Sequence, residues 1–272
     1  ARSISGPRIT MDLQLKDKRA LVTAASRGLG LASARALCAE GARVAMTGRS
    51  AGALEREAQA ISRDGGGEAV ALPMDLCDPE SIARGIEQVV RRWGGIDILV
   101  ANTPGPDAGP FVALRREQWR AAIDMTIMPV VDLLQRVIPV MKKGGGGRII
   151  CVTTIGVKTA QPSMVLSNAT RLAITGIAKT LSVELADDNI LVNTICPGPI
   201  DTDRMVDLIA ATQKEKGLDR AAAEAIWLDE VPLRRMGRSQ DFGRLVAVLA
   251  SDVASYVTGA AVSVDGGKSR GY

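Results

Sequence analysis

Short apolar runs alternate with amphipathic stretches along nearly the whole chain. Strand-length runs, almost continuous in Val, Ile, Leu and Ala, fall at Ala20–Thr23, Arg43–Thr47, Ala69–Met74, Ile96–Ala101, Arg148–Thr153, Leu191–Cys196 and Ala261–Val264. Between them, apolar residues recur at helical spacing in Leu29–Glu40, Ala53–Arg63, Pro79–Trp93, Trp119–Met141 and Ala169–Leu185. Runs without polar alternation predict strands covered on both faces, and the intervening helices predict parallel crossovers. The expected fold class is therefore α/β: a single-domain Rossmann-type doubly wound parallel seven-stranded sheet with helices on both faces. One long region, Asp201–Gly237, leaves this rhythm between the sixth strand and the last helix. Repeats and linkers are absent, and the one low-complexity tract is Gly144–Gly147.

Composition narrows the reading. Hydrophobic residues are 46% and aromatic residues only 3%, so the core must be built from small aliphatic side chains, and 28 Gly suit close packing of helix on sheet. No stretch approaches the ~18 apolar residues of a membrane span. The opening ARSISGPRIT is polar and aperiodic and reads as a tag or disordered tail at 1–10, leaving 11–272 as the domain. The net charge of +4 is spread over scattered Lys and Arg without interleaved aromatics, which argues against nucleic acid as a partner and leaves small anionic ligands. Four Cys lie far apart, with Cys38, Cys151 and Cys196 inside apolar segments. They read as reduced core cysteines of a cytoplasmic protein. With no His in the chain, no metal site is expected.

ALVTAASRGLGLASARAL (Ala20–Leu37) reads as strand, tight turn and helix. Gly28 and Gly30 let a backbone approach a ligand closely, and free N–H groups at the helix start attract a phosphate. The plainer alternative is a glycine-containing turn with no ligand.

TAASRGLG resembles the TGxxxGxG turn of the short-chain dehydrogenase/reductase family. Four more stretches resemble the family in order and spacing: PMDL (Pro73–Leu76), ANTPG (Ala101–Gly105), NTICPGPIDTDR (Asn193–Arg204) and YVTGAAVSVDGG (Tyr256–Gly267). The likeness covers Asp12–Lys268 and departs at Ala24, where the family usually has Gly. It implies cofactor contacts from Ser26, Arg27, Gly28, Leu29 and Gly30 in the turn. It implies further ones from Asp75 and Leu76, from Asn102, Thr103 and Pro104, and from Pro197, Gly198, Ile200 and Thr202. Arg49 stands where an acidic residue would take the ribose 2′-hydroxyl of NAD. With Arg27 it offers two guanidiniums suited to a 2′-phosphate, so the cofactor expected is NADP(H). Two solvated arginines are the alternative.

Family members commonly carry an Asn–Ser–Tyr–Lys tetrad. In MVLSNATRLAITG (Met164–Gly176), spacing puts Arg171 at the Lys position and Ser167 at the Tyr position; Thr154 falls at the Ser position and Thr126 at the Asn position. All four are changed. The only two Tyr, Tyr256 and Tyr272, lie at the other end of the chain. Thr154 keeps a donor for a carbonyl oxygen, and Arg171 keeps a cation for the nicotinamide ribose. An Arg cannot relay protons, and a serine hydroxyl is a far weaker acid than a phenol of pKa ~10. Lys158 is a candidate proton source if its loop folds over the site.

The LSNxxR signature resembles a 3-oxoacyl-ACP reductase-like branch of the family. The resemblance implies an NADP(H)-dependent oxidoreductase moving hydride between nicotinamide and a carbonyl or hydroxyl carbon, 3-oxoacyl-type in that branch. The alternatives are a non-redox lyase, dehalogenase or cyclase, a nucleotide-binding module, or Ser167 and Arg171 as a mere helix pair. The resemblance also places a lid at about 201–238. There Met205, Leu208, Ile209, Ile226 and Trp227 line an apolar pocket or form the lid's own packing. Arg204, Arg234, Arg235 and Arg238 read as a solvated rim, with an anionic carrier or carboxylate as the alternative. Pro104–Gly109 and Pro110 stiffen the opposite rim. A homotetramer or homodimer pairing the helices of Trp119–Met141 and Ala169–Leu185 is implied by the resemblance.

Overall fold

The computed structural model of the chain describes residues 11–270; the tail read at 1–10 and Tyr272 lie outside the described residues. In chain order the elements are β1 (Arg19–Val22), α1 (Gly28–Ala39), β2 (Arg43–Gly48), α2 (Ala51–Arg63), β3 (Glu68–Pro73), α3 (Pro79–Trp93) and β4 (Ile98–Ala101). They continue with α4 (Arg116–Lys143), β5 (Gly147–Val152), α5 (Val165–Glu184), β6 (Ile190–Pro197), β7 (Ile200–Asp201) and α6 (Asp203–Lys216). The last are α7 (Arg220–Leu228), β8 (Gly237–Arg238), α8 (Ser239–Ala250) and β9 (Ala261–Val264). Seven strands form one sheet in the order β3-β2-β1-β4-β5-β6-β9, and every neighbouring pair is parallel.

The doubly wound arrangement follows from where the side chains point. Along β1, Ala20 and Val22 enter a core layer shared with Leu37, Val44, Phe242 and Val246, under α1 and α8. Leu21, facing the other way, joins Leu99, Leu133, Val137, Ile149 and Ile174, under α4 and α5. Strands buried on both faces need apolar residues at every position, which is why the runs showed no alternation. Because β1 has β2 on one side and β4 on the other, the strand order reverses there, and the carboxyl ends of β1 and β4 open into a crevice.

Local signals explain which boundaries the sequence marks. Helix α3 coincides with the predicted Pro79–Trp93. Asp78 caps it by accepting the Glu80 N–H at 3.0 Å, Pro79 supplies the first-turn geometry, and Gly94 leaves it at φ +81°. Helix α4 runs longer than the predicted Trp119–Met141, and the prolines at 129 and 139 sit inside it. The fourth strand starts at Ile98 rather than Ile96. Asp97, just before it, accepts the Arg19 main-chain N–H and Nε, each at 2.8 Å, and so ties the starts of β1 and β4 together. The off-rhythm region holds α6 and α7 and is closed by a two-residue ladder pairing Ile200 with Gly237 and Asp201 with Arg238. Cys38, Cys151 and Cys196 are buried and unpaired, as expected, and Cys77 is exposed. No helix among the described residues is long and apolar enough to cross a membrane.

The Asp97–Arg19 pair is expected to carry measurable stability. Burial alone raises the Asp97 carboxyl, but the hydrogen bonds and charge of Arg19 outweigh it, and the net direction is below the usual carboxylate range. A lowered folded-state value means the unfolded chain binds more protons, so this stability is present above the unfolded pKa of ~3.9 and is lost as pH falls below it. Asp97→Asn should lower the unfolding free energy by about 1.5–3 kcal/mol at pH 7. In urea titrations, the gap between variant and parent should shrink steadily below pH ~4.

Candidate functional site

The β1–α1 turn closes on itself tightly. Ala24 takes φ +47° and Gly28 φ +57°, both in the left-handed region. A side chain at Ala24 makes that conformation cost about 1–2 kcal/mol, which a glycine would avoid. A Cβ on Gly30 would lie 2.3 Å from the Ala24 carbonyl oxygen, so the first turn of α1 can rest on the loop only without a side chain there. The Ala25 N–H donates to Thr47 O at 2.7 Å, and a Cβ on Gly48 would lie 3.6 Å from Ser26 Oγ. These contacts bring the turn beside the end of β2, where Arg49 follows.

The start of α1 has no side-chain cap and no acidic residue in its first turn. Its orphan N–H groups and the positive end of the helix dipole therefore face the crevice. Arg49 is exposed, and among the described residues it makes no hydrogen bond or ion pair. Arg27 differs from the free guanidinium expected of it: its Nη1 lies 3.3 Å from Asp203 Oδ2 at the start of α6. Both side chains are mostly exposed, and such pairs are weak and readily exchanged for a better anion.

The remaining predicted cofactor residues lie at the same end of the sheet. Thr23 Oγ1 donates to Asn102 O at 2.6 Å and accepts the Asn102 N–H at 2.8 Å, linking the segments beyond β1 and β4. Thr103 is buried, and its hydroxyl has no partner among the described residues. Asp75 accepts the Cys77 N–H at 3.0 Å, while Leu76 is buried in the core. Past Pro197, a Cβ on Gly198 would lie 2.7 Å from Asp265 Cβ, which fixes glycine at that crossing. Ile200 leads into Thr202, whose Cγ2 would lie 3.8 Å from a Cβ on Gly28, so this segment roofs the glycine turn.

The four positions aligned with the tetrad behave differently from one another. Ser167 and Arg171 share the buried face of α5, one turn apart. Thr154 follows β5 and opens a short 3-10 turn, with its hydroxyl accepting the Gly156 N–H at 3.3 Å. That turn packs on the start of α5: a Cβ on Gly156 would lie 2.1 Å from Asn168 Oδ1. Thr154 and Ser167 are thereby on one side of the sheet end. Among the described residues the Ser167 side chain makes no hydrogen bond, although it is only 8% exposed. Thr126 departs from its expected role: it is fully buried and its hydroxyl donates to Ala122 O within α4. Back-bonding to its own helix uses the only proton Thr126 has, so it presents no donor to the crevice.

Arg171 is turned inward, and its surroundings differ from the ribose anchor expected. Nη1 donates to Val152 O at 2.9 Å; Nη2 donates to Thr103 O at 2.8 Å and to Pro104 O at 3.0 Å. Three of the five guanidinium N–H groups are thus held by main-chain carbonyls. Burial lowers its pKa to about 10, with the charge of Arg204 adding to the shift, and the group stays protonated at neutral pH. Beside it, burial pushes the Cys151 thiol up to about 12, so that sulfur is neutral. Lys158, the candidate proton source, ends the short turn after Thr154 and is exposed.

The arginines of the off-rhythm segment separate into two kinds. Arg234 pairs with Asp229, and Arg235 and Arg238 pair with Asp241, all near the surface. Arg204 instead reaches the opposite rim, where its Nη2 donates to Pro106 O at 2.8 Å. Met205, Ile209 and Ala223 form a small core with Leu208 and Trp227, so these side chains serve the segment's own packing; Ile226 is 44% exposed.

Known proteins share this architecture. A family model described as enoyl-(acyl carrier protein) reductase matches residues 23–269. The 3-oxoacyl-[acyl-carrier-protein] reductase of Escherichia coli (strain K12) is 34% identical over 255 residues, 94% of this chain and 98% of that protein. Dehydrogenase/reductase SDR family member 4 of Homo sapiens is 32% identical over 257 residues, 93% of this chain and 88% of its own length. The crystal structure of L-sorbose reductase from Gluconobacter frateurii, complexed with NADPH and L-sorbose, matches with a TM-score of 0.91 at 29% identity. That match covers 96% of this chain and all of the other.

The inward Arg171 makes its own prediction. Arg171→Met keeps the bulk but leaves the buried carbonyls of Val152 and Thr103 without donors, and unfolding free energy should fall by about 1–3 kcal/mol. Chemical denaturation measures it; an unchanged midpoint would show that water replaces the guanidinium without loss.

Proposed function

The chain belongs to the short-chain dehydrogenase/reductase family, and on that premise we propose that it is an NADP(H)-dependent oxidoreductase acting at a carbonyl or hydroxyl carbon. The observation that carries this reading is the dinucleotide cradle. The glycine turn is closed on Ala24, the start of α1 is uncapped, and Arg49, at the end of β2, has no partner among the described residues. An uncapped helix start beside a close backbone approach suits a diphosphate, and a free guanidinium past β2 suits a 2′-phosphate. The buried, unpartnered Thr103 hydroxyl offers a further polar contact in the same crevice. The L-sorbose reductase complexed with NADPH, which covers 96% of this chain, supports the same cofactor.

When bound, the nicotinamide supplies or accepts the hydride, and this chain's residues orient the substrate and stabilise charge on its oxygen. Thr154 Oγ accepts a hydrogen bond from Gly156 N, so its own proton remains free to donate to a substrate oxygen. Ser167, with no side-chain partner among the described residues, is a second donor on the same side. Arg171 acts mainly by holding the Thr103–Pro104 main chain, with its remaining N–H groups left for a ribose or substrate oxygen. None of these groups is an acid of the strength of the family's tyrosine, so charge stabilisation and orientation carry the reaction. The proton comes from water, from the substrate, or from Lys158.

The 3-oxoacyl class of substrate is supported by the relatives named above and by the LSNxxR signature. A homotetramer or homodimer through α4 and α5 fits the exposed Ile123, Met128, Leu172 and Val183 on those helices.

Fluorescence titration tests the cofactor assignment. NADPH should bind well ahead of NADH, and Arg49→Asp should weaken NADPH by about 10- to 100-fold, equivalent to a charged hydrogen bond of about 1.5–3 kcal/mol. Equal affinities for the two nucleotides, or binding of neither, would remove the assignment. In steady-state kinetics Thr154→Val should lower kcat by about 100- to 1000-fold, the loss of one oxyanion donor, while NADPH affinity stays near the parent value.

A further inference from the structure

We propose that Arg204 is a specificity-determining residue that binds the carboxylate of an anionic carbonyl substrate at the mouth of the crevice. This rests on the oxidoreductase reading above and names the substrate class of that site.

Helix α6 opens with an oddity. Arg204 lies in the first turn of a 14-residue helix, at the end where the helix dipole disfavours a cation. The acids next to it do not compensate for this. Asp203 is turned to Arg27, and Asp201 and Asp107 make no ion pair among the described residues. Arg204 crosses instead to the loop after β4. Its Nη2 bonds Pro106 O, and a Cβ on Gly105 would lie 3.6 Å from its Nε. Nε and Nη1 are left without a protein acceptor among the described residues.

The same loop is held from beneath by Arg171, through Thr103 O and Pro104 O. Two guanidiniums therefore grip neighbouring residues of one segment, and neither has a carboxylate partner among the described residues. Their charges act on each other, since Arg204 adds to the lowering of the Arg171 pKa. Two uncompensated cations at one cleft raise the local concentration of anions and favour one that completes the unfilled donors. The uncapped start of α1 would take the phosphates of a bound dinucleotide, which leaves this second positive region for the substrate. One N–H of Arg204 Nη2 holds the Pro106 carbonyl, and its second N–H forms a fork with a neighbouring free donor, Nε or Nη1, that matches a planar carboxylate. The neighbouring Arg234, Arg235 and Arg238 offer no such site because each has an acidic partner.

Matched pairs test the proposal. Acetoacetate and 4-oxopentanoate, each beside its methyl ester, are titrated calorimetrically into the NADP+-loaded protein and into the unloaded protein. The expected result is that at least one acid binds tenfold or more tightly than its ester. Arg204→Gln should bring that ratio close to one, and Arg204→Lys should keep part of it. A merely structural loosening of α6 would weaken acid and ester alike and leave the ratio unchanged. Equal binding of acid and ester, binding of neither acid, or an acid preference that survives Arg204→Gln overturns the proposal. Failure of NADP+ to bind overturns the oxidoreductase reading instead, because the acid–ester ratio is still read on the unloaded protein.

Discussion

The buried guanidinium of Arg171 is the interaction on which the rest of the site depends. Where a parallel sheet ends, the carbonyls of the last residues run out of ladder partners, and a buried carbonyl without a donor is costly. Val152 at the end of β5 and Thr103 just beyond β4 are in that position, and Arg171 supplies both, along with the part-buried Pro104 carbonyl. A lysine presents its donors from one nitrogen and cannot span two strand ends in this way. On the proposed alignment, where Arg171 takes the place of the family's usual Lys, the position does something different. A cation that serves a ribose becomes, in large part, a cross-brace between β4 and β5.

Several features follow from that brace. With Thr103 and Pro104 fixed, the next residues run along the rim, so that Pro106 O meets Arg204 and Gly109 N bonds Ser163 O at 2.6 Å ahead of α5. The brace also places a full positive charge in the protein interior without a counterion. Burying an unpaired charge is unfavourable unless dipoles satisfy it, and three carbonyl dipoles do so here. Cys151, close by, stays a neutral thiol, so it neither offsets the charge nor acts as a nucleophile. The crevice is accordingly positive at both ends: by the helix start and Arg49 on one side of the switch point, and by Arg171 and Arg204 on the other.

The sequence made the architecture legible because the signals for it are local. Doubly buried strands announce themselves as unbroken apolar runs, and α3 could be bounded to the residue from Asp78, Pro79 and Gly94. Spacing within α5 sufficed to put Ser167 and Arg171 on one buried face. What was not legible depends on partners far away in the chain. The acceptors of Arg171 lie 68 residues away at Thr103 and 19 away at Val152, and no periodicity reports them. The outward pairs of Arg234, Arg235 and Arg238 resemble Arg204 in sequence and differ only in what the fold brings near them. Thr126 is instructive in the opposite sense. Its competitor was local, the carbonyl one turn earlier in α4, and a threonine inside a helix is prone to that bond.

On the proposed alignment, a serine at the tyrosine position goes together with the brace at the lysine position. In the usual arrangement a lysine lowers the acidity threshold of a phenol, so the two positions act as one proton-transfer unit. A guanidinium engaged with three carbonyls cannot tune a neighbouring hydroxyl in that way, and a serine hydroxyl would hardly respond if it could. Changing either position alone would leave half of a unit with no function. Changing both leaves a coherent alternative, the one proposed above, in which a rigid rim holds donors from Thr154 and Ser167 toward an oxygen. Donors fixed in advance need no rearrangement as negative charge develops, and that is the contribution such a site can make without an acid of its own. The proton can then be taken from solvent, and the crevice must admit water beside the substrate. A half-exposed mouth formed by Arg204 and the Pro104–Pro110 rim, rather than a sealed cavity, meets that requirement.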